Sequence, residues 1–148
     1  MLKLPPPIWA VIFVALCAAA SWGLGWPGLS GFPLAPVGVA LVVLGFVPPI
    51  WAVVLFRREG TEINPTSAAN RKLVTAGPFS FTRNPMYLGL LIETLGIAVW
   101  VGAWPMLAAP IAVFATCNWV HIPFEEAKMR RQFETAFDDY ARRVRRWL

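Results

Sequence analysis

The chain has 148 residues, of which 57% are hydrophobic and 14% charged, and its mean hydropathy is +0.58. Apolar usage above the roughly 45–50% of soluble domains excludes intrinsic disorder and argues against an ordinary cytosolic globule. The net charge of +5 does not mark a nucleic-acid surface, because its basic residues fall in three places: Lys3, the segment from Arg57 to Arg83, and the tail from Lys128 onward. That distribution is a membrane topology signal.

From Leu4 to Phe56 there is no acidic, basic or histidine side chain, and from Asn84 to Phe124 only Glu93 and His121 break the apolar pattern. Four apolar segments follow, 8–24, 37–56, 86–104 and 106–124, each about 17 to 20 residues and close to the length that crosses a bilayer. The first resembles a signal peptide in having Lys3 before an apolar run and Ala18-Ala19-Ala20 within it. The run continues through Trp22 and Leu24, so it is read as a span. Cys17 and Cys117 lie inside apolar runs and read as small buried residues, with no zinc or disulfide framework.

In the second span Pro48-Pro49 removes two backbone donors and predicts a kink or a broken helix at membrane depth. Pro105 falls in the first turn of the fourth span, so the third and fourth spans form a tight hairpin. With four spans, every Lys and Arg faces one compartment, which the positive-inside rule makes the cytoplasm, with both termini there. Trp9, Trp22, Trp26, Trp100 and Trp104 lie near span ends, as in aromatic belts.

Residues 57–85 form a cytoplasmic loop, long for a link between spans and mixing turn formers with charge. After the fourth span, Met129, Phe133, Phe137, Tyr140, Val144 and Trp147 recur at steps of three and four, with charged residues on the other faces. This predicts an amphipathic helix over 125–147, lying on the membrane surface or folded against the loop. The expected architecture is a single all-α membrane domain over 1–148.

Chemistry concentrates at few positions. Glu93, about two turns into the third span, reads either as a buried, protonated, hydrogen-bonded carboxyl or as a group facing a cavity. Asn118, His121 and Glu125 are spaced to share one helix face near the cytoplasmic end. One histidine and one carboxylate lack the ligand count of a zinc site, so this face reads as the polar wall of a pocket and no metal is expected. Glu125-Glu126 at the water boundary reads either as a first-turn pair on the helix dipole or as a carboxylate beside a cationic ligand.

Leu73-Val74-Thr75-Ala76-Gly77-Pro78-Phe79, Arg83-Asn84-Pro85-Met86-Tyr87-Leu88-Gly89, Glu125-Glu126, then Phe133, Phe137, Tyr140 and Val144-Arg145-Arg146-Trp147 together resemble the isoprenylcysteine carboxyl methyltransferase family and the related phospholipid methyltransferases. These are integral membrane enzymes that use S-adenosylmethionine. The resemblance covers about Gly60 to Leu148. It implies cofactor contacts from Asn64, Arg71, Lys72, Leu73, Val74, Phe79, Asn84, Pro85, Met86, Tyr87 and Glu125. The residue types suit that ligand: a sulfonium and an ammonium want a carboxylate and aromatic faces, and a carboxylate wants basic or backbone donors. Within the resemblance Glu125 and Tyr87 position the cofactor, His121 orients or deprotonates the substrate, and Arg83 belongs to the catalytic set.

Two departures stand out. The family's Arg-His-Pro reads Arg83-Asn84-Pro85, and the position four before Glu125, an arginine in the eukaryotic carboxyl methyltransferases, is His121. An arginine clamps a carboxylate bidentately, whereas a histidine also serves as a base near neutral pH. The acceptor class therefore widens to amines, thiols and hydroxyls on a lipophilic or membrane-embedded substrate. Membrane lipids are the expected surroundings, and neither nucleic acid nor an obligate protein partner is expected. Two other readings share part of the pattern: a sterol-reductase-type enzyme that binds a nicotinamide cofactor, and a non-catalytic membrane scaffold.

Overall fold

The computed structural model describes residues 4–28, 34–60 and 72–148. These residues are helical, with no strand among them: α1 (Pro6–Gly23), α2 (Leu34–Gly45), α3 (Val47–Arg58), α4 (Pro85–Val101), α5 (Ala108–Thr116) and α6 (Ile122–Arg143). Short 3₁₀ turns cover Gly77–Ser80 and Trp104–Leu107, and a π turn covers Cys117–His121.

Three helical stretches among the described residues are long and apolar enough to cross a membrane: Pro6–Gly23, Leu34–Arg58 and Trp104–Arg143. The third expected span appears as the shorter α4, whose 17 residues reach about 25 Å. It stops at Val101 because Gly102, at φ 68°, takes the left-handed cap. The anticipated boundary between a fourth span and a separate tail helix is absent, since one helical run joins them through the π turn.

The proline pair acts as expected. α2 ends at Gly45, Phe46 forms the joint, and Pro48-Pro49 occupy the first turn of α3, where missing donors cost least. Before the joint, α2 runs antiparallel to α4 at very short range. A Cβ on Gly38 would lie 2.3 Å from the Trp100 backbone nitrogen, one on Gly89 2.4 Å from the Gly45 carbonyl, and one on Gly96 2.6 Å from the Val42 nitrogen. Glycines seven apart on each helix thus let the two backbones touch, as small residues do wherever membrane helices pack closely. Past the joint, the prolines carry α3 away from α4 and leave space between them.

At the far end, Trp104 N–H donates to the Pro27 carbonyl at 3.0 Å, tying the α1–α2 connection to the α4–α5 turn. Trp22, Trp26, Trp100 and Trp104 are exposed at this end.

The tail departs from a single straight helix. Glu134 has φ 46° and ψ −122°, the geometry of the first central residue of a type II′ turn, and the chain doubles back there. Arg130 pairs with Asp138 at 3.1 Å and stacks over the Phe137 ring at 5.5 Å. The Arg83 guanidinium reaches both Glu126 and the carbonyls of Ala141 and Val144. Residues 126 and 141 on a straight helix would stand about 22 Å apart. The second half of α6 therefore lies against the first and against the loop.

Candidate functional site

The space left by α3 is a cavity of about 760 Å³, within the roughly 300–1,000 Å³ of small-molecule sites. Its inner half is apolar, with Phe46, Pro49, Ile50, Val53 and Leu90. Its other end is polar and carries Lys72, Arg83, Asn84, Tyr87, Glu125 and Glu126. Met129, Phe133, Phe137 and Tyr140, four of the six residues in the aromatic-rich stripe of the tail, also line it.

The polar end is built by cross-links between the loop and the tail. Arg83 donates to Glu126 Oε1 from Nη2 at 2.6 Å and from Nε at 3.2 Å, and from Nη1 to the Val144 and Ala141 carbonyls at 2.6 and 3.0 Å. Arg146 donates to Glu126 Oε2 at 2.8 Å. Asn84 Nδ2 donates to the Arg146 carbonyl at 2.9 Å, and Tyr140 O–H to the Phe79 carbonyl at 2.7 Å. Trp147 Nε1 donates to Asn118 Oδ1 at 3.0 Å while its ring packs on Phe114.

The two adjacent glutamates end in opposite environments. Burial acts to raise the Glu126 carboxyl, but hydrogen bonds and charge from Arg146 and Arg83 outweigh it and hold the group below its ordinary range. Burial raises the Glu125 carboxyl above its ordinary range, opposed by a hydrogen bond from Tyr87 O–H at 2.6 Å. Among the described residues no lysine or arginine pairs with Glu125. It is a carboxylate facing a cavity without a counter-ion among the described residues.

Of the expected contacts, Lys72, Leu73, Val74, Phe79, Asn84, Pro85, Met86, Tyr87 and Glu125 all line this one cavity. Asn64 and Arg71 lie outside the described residues. Arg83 also lines it, yet its donors are engaged by Glu126 and two carbonyls, so it holds the tail to the loop and orients Glu126.

His121 stands elsewhere. It is 5% exposed, its Nε2 has no partner among the described residues, and its ring lies behind Tyr87 with centroids 6.5 Å apart. The expected shared face of Asn118, His121 and Glu125 does not form, because the π turn over Cys117–His121 changes the angular step between them. Asn118 turns to Arg146 and Trp147, and only Glu125 of the three lines the cavity.

The lining from Pro5, Pro6 and Pro7, from α3 and from the doubled-back tail has no chemical signature in sequence. The tail stripe was visible as a periodicity, but not the direction it faces.

A family model described as phospholipid methyltransferase matches residues 34–136. Protein-S-isoprenylcysteine O-methyltransferase B of Arabidopsis thaliana is 32% identical over 114 residues, covering 72% of this chain and 55% of that protein. A probable protein-S-isoprenylcysteine O-methyltransferase of Oryza sativa subsp. japonica is 31% identical over 115 residues, covering 73% and 57%. The nickel-cobalt-cadmium resistance protein NccN of Alcaligenes xylosoxydans xylosoxydans is 28% identical over 137 residues, covering 91% and 58%. The chain thus spans somewhat over half the length of the curated relatives it matches. No solved structure matches it.

Proposed function

Because this chain belongs to the phospholipid methyltransferase family, we propose that it is an integral membrane methyltransferase that binds S-adenosylmethionine at the cytoplasmic end of the cavity and methylates a lipophilic acceptor held in the apolar half. The observation that carries this reading is Glu125, a half-buried carboxylate that among the described residues has one hydrogen-bond donor and no cationic partner, at the polar end of a two-part cavity.

The donor set fits the ligand. Glu125 offers charge to a cation, and Phe79, Tyr87, Phe133 and Phe137 offer aromatic faces. When bound, S-adenosylmethionine supplies an electrophilic methyl on a positively charged sulfur. The chain's residues orient and enclose. Tyr87 fixes the Glu125 carboxyl, the Arg83–Glu126–Arg146 cluster pins the doubled-back tail over the cavity, and the aromatic stripe of that tail keeps water out. His121 supports the back of Tyr87.

In this reading the 1–148 chain is one membrane domain with four spans. α4 is the third and the apolar part of the long run, ending near Phe124, is the fourth, with the loop, the tail and both termini on the cytoplasmic side. The tail then serves as an amphipathic cap on the site.

Thermal unfolding of detergent-solubilised protein tests the proposal, since a ligand of the folded state raises the midpoint. S-adenosylmethionine and S-adenosylhomocysteine are expected to stabilise, and Glu125→Gln to weaken both about tenfold, a loss of about 1.4 kcal/mol. Stabilisation by NADPH alone, or by none of the three, overturns the reading.

A further inference from the structure

The cavity extends past its polar end to membrane depth, where one ionisable side chain has no role in the reading above. Tyr87, Leu90 and Glu93 recur three apart on α4 and all line the cavity, so Glu93 sits about 9 Å deeper than Tyr87. Phe46, Pro49, Ile50, Val53 and Leu90 form the apolar wall of that half. Among the described residues no hydrogen bond or ion pair reaches the Glu93 carboxyl.

The neighbouring helix makes room for this side chain. A Cβ on Gly45 would lie 2.5 Å from Glu93 Cγ, so α2 yields a side chain where Glu93 passes toward the cavity. A carboxyl at this depth is costly unless something bonds to it, and the cavity is the space from which a partner can come. The charge around it also selects. The lining cations among the described residues are engaged, Arg83 with Glu126 and two backbone carbonyls, and Lys72 with Glu59. A lipophilic carboxylate entering this half would meet Glu93 with no free cation among the described lining residues to receive it, whereas a hydroxyl or amine would supply the missing donor.

We propose that Glu93 selects the acceptor by taking a hydrogen bond from its head group, so that the cavity favours lipophilic alcohols and amines over lipophilic carboxylates. This rests on the methyltransferase reading for the word acceptor, but its test reads binding and does not need turnover.

The protein in lipid nanodiscs, saturated with S-adenosylhomocysteine, is titrated with hexadecanol, hexadecylamine and hexadecanoate, and the unfolding midpoint is followed. Hexadecanol and hexadecylamine are expected to stabilise it, and hexadecanoate to need at least tenfold higher concentration for the same shift. Glu93→Leu should abolish the response to both head groups. Glu93→Gln keeps an acceptor oxygen, so it should retain the hexadecanol response and lose about tenfold for hexadecylamine, and it carries the test if the leucine variant does not fold. Both variants should keep the S-adenosylhomocysteine shift, which reports an intact polar end. Equal or better stabilisation by hexadecanoate, unchanged responses in both Glu93 variants, or no response to any of the three overturns the inference. Failure of S-adenosylhomocysteine to stabilise any form instead overturns the methyltransferase reading, and the same titration on protein without it still decides the role of Glu93.

Discussion

The two ends of the molecule are held together by opposite means. In the membrane half, α2 and α4 meet through absent side chains: Gly38, Gly45, Gly89 and Gly96 bring the two backbones into contact. At the polar end, the loop and tail meet through charge and hydrogen bonds centred on Arg83, Glu126 and Arg146. In lipid, apolar side chains gain little by leaving their surroundings, so close packing must specify the contact. At the water boundary burial alone cannot pin a charged loop, so buried ion pairs and carbonyl contacts do it. The cavity lies where one regime gives way to the other, which is why it has an apolar half and a polar half.

Breaking the polar regime should have the largest effect. Arg83→Met leaves Glu126 with one arginine and strips donors from the Val144 and Ala141 carbonyls, in a pair whose side chains are 12% and 7% exposed. A loss of about 4 kcal/mol is expected, seen as a lowered unfolding midpoint and faster proteolysis of the tail. The packing regime should fail next. Gly89→Leu drives a side chain into the Gly45 carbonyl and the Pro49 ring, and a loss of about 3 kcal/mol is expected, measured by denaturant unfolding in detergent.

A smaller change sharpens the comparison from the stabilising side. Glu134 holds a left-handed backbone where the tail doubles back, a geometry that costs a residue with a Cβ about 1 kcal/mol or more. Glu134→Gly should therefore raise stability by up to about 1 kcal/mol, and a lowered midpoint would argue that the Glu134 side chain itself holds the turn.

The smallest effect is in pH, where the two glutamates act with opposite sign. Glu126 is depressed in the fold, so its contribution is present above an unfolded value near 4.5 and disappears as pH falls through its folded value. Glu125 is raised, so the fold holds its proton more tightly and stability declines as pH climbs from near 4.5 through its folded value. Glu126→Gln should flatten the acid side of the midpoint profile, and Glu125→Gln the side above it.

Much of this was legible along the chain. The charge-free runs located the apolar helices, Pro48-Pro49 located the joint, and the Arg83-to-Tyr87 and Glu125 pattern located residues that share one cavity. The glycines also carried a readable signal, since 38 and 45 match the spacing of 89 and 96, but nothing in one dimension pairs them. His121 misled because a spacing of three and four assumes an α-helix, and the π turn at Cys117–His121 breaks that assumption. The tail misled in a similar way, because a periodic stripe continues across Glu134 although the backbone does not.

Composition and periodicity by themselves determined that this is a helical chain for a bilayer with its polarity gathered at one end, because burying charge in lipid costs too much to be placed freely. Only the tertiary structure decided which carboxylate is neutralised and which faces the cavity without a charged partner among the described residues. Glu125 and Glu126 are adjacent and chemically identical in sequence, and their difference comes from Arg83 and Arg146, which lie 43 and 20 residues from Glu126 along the chain.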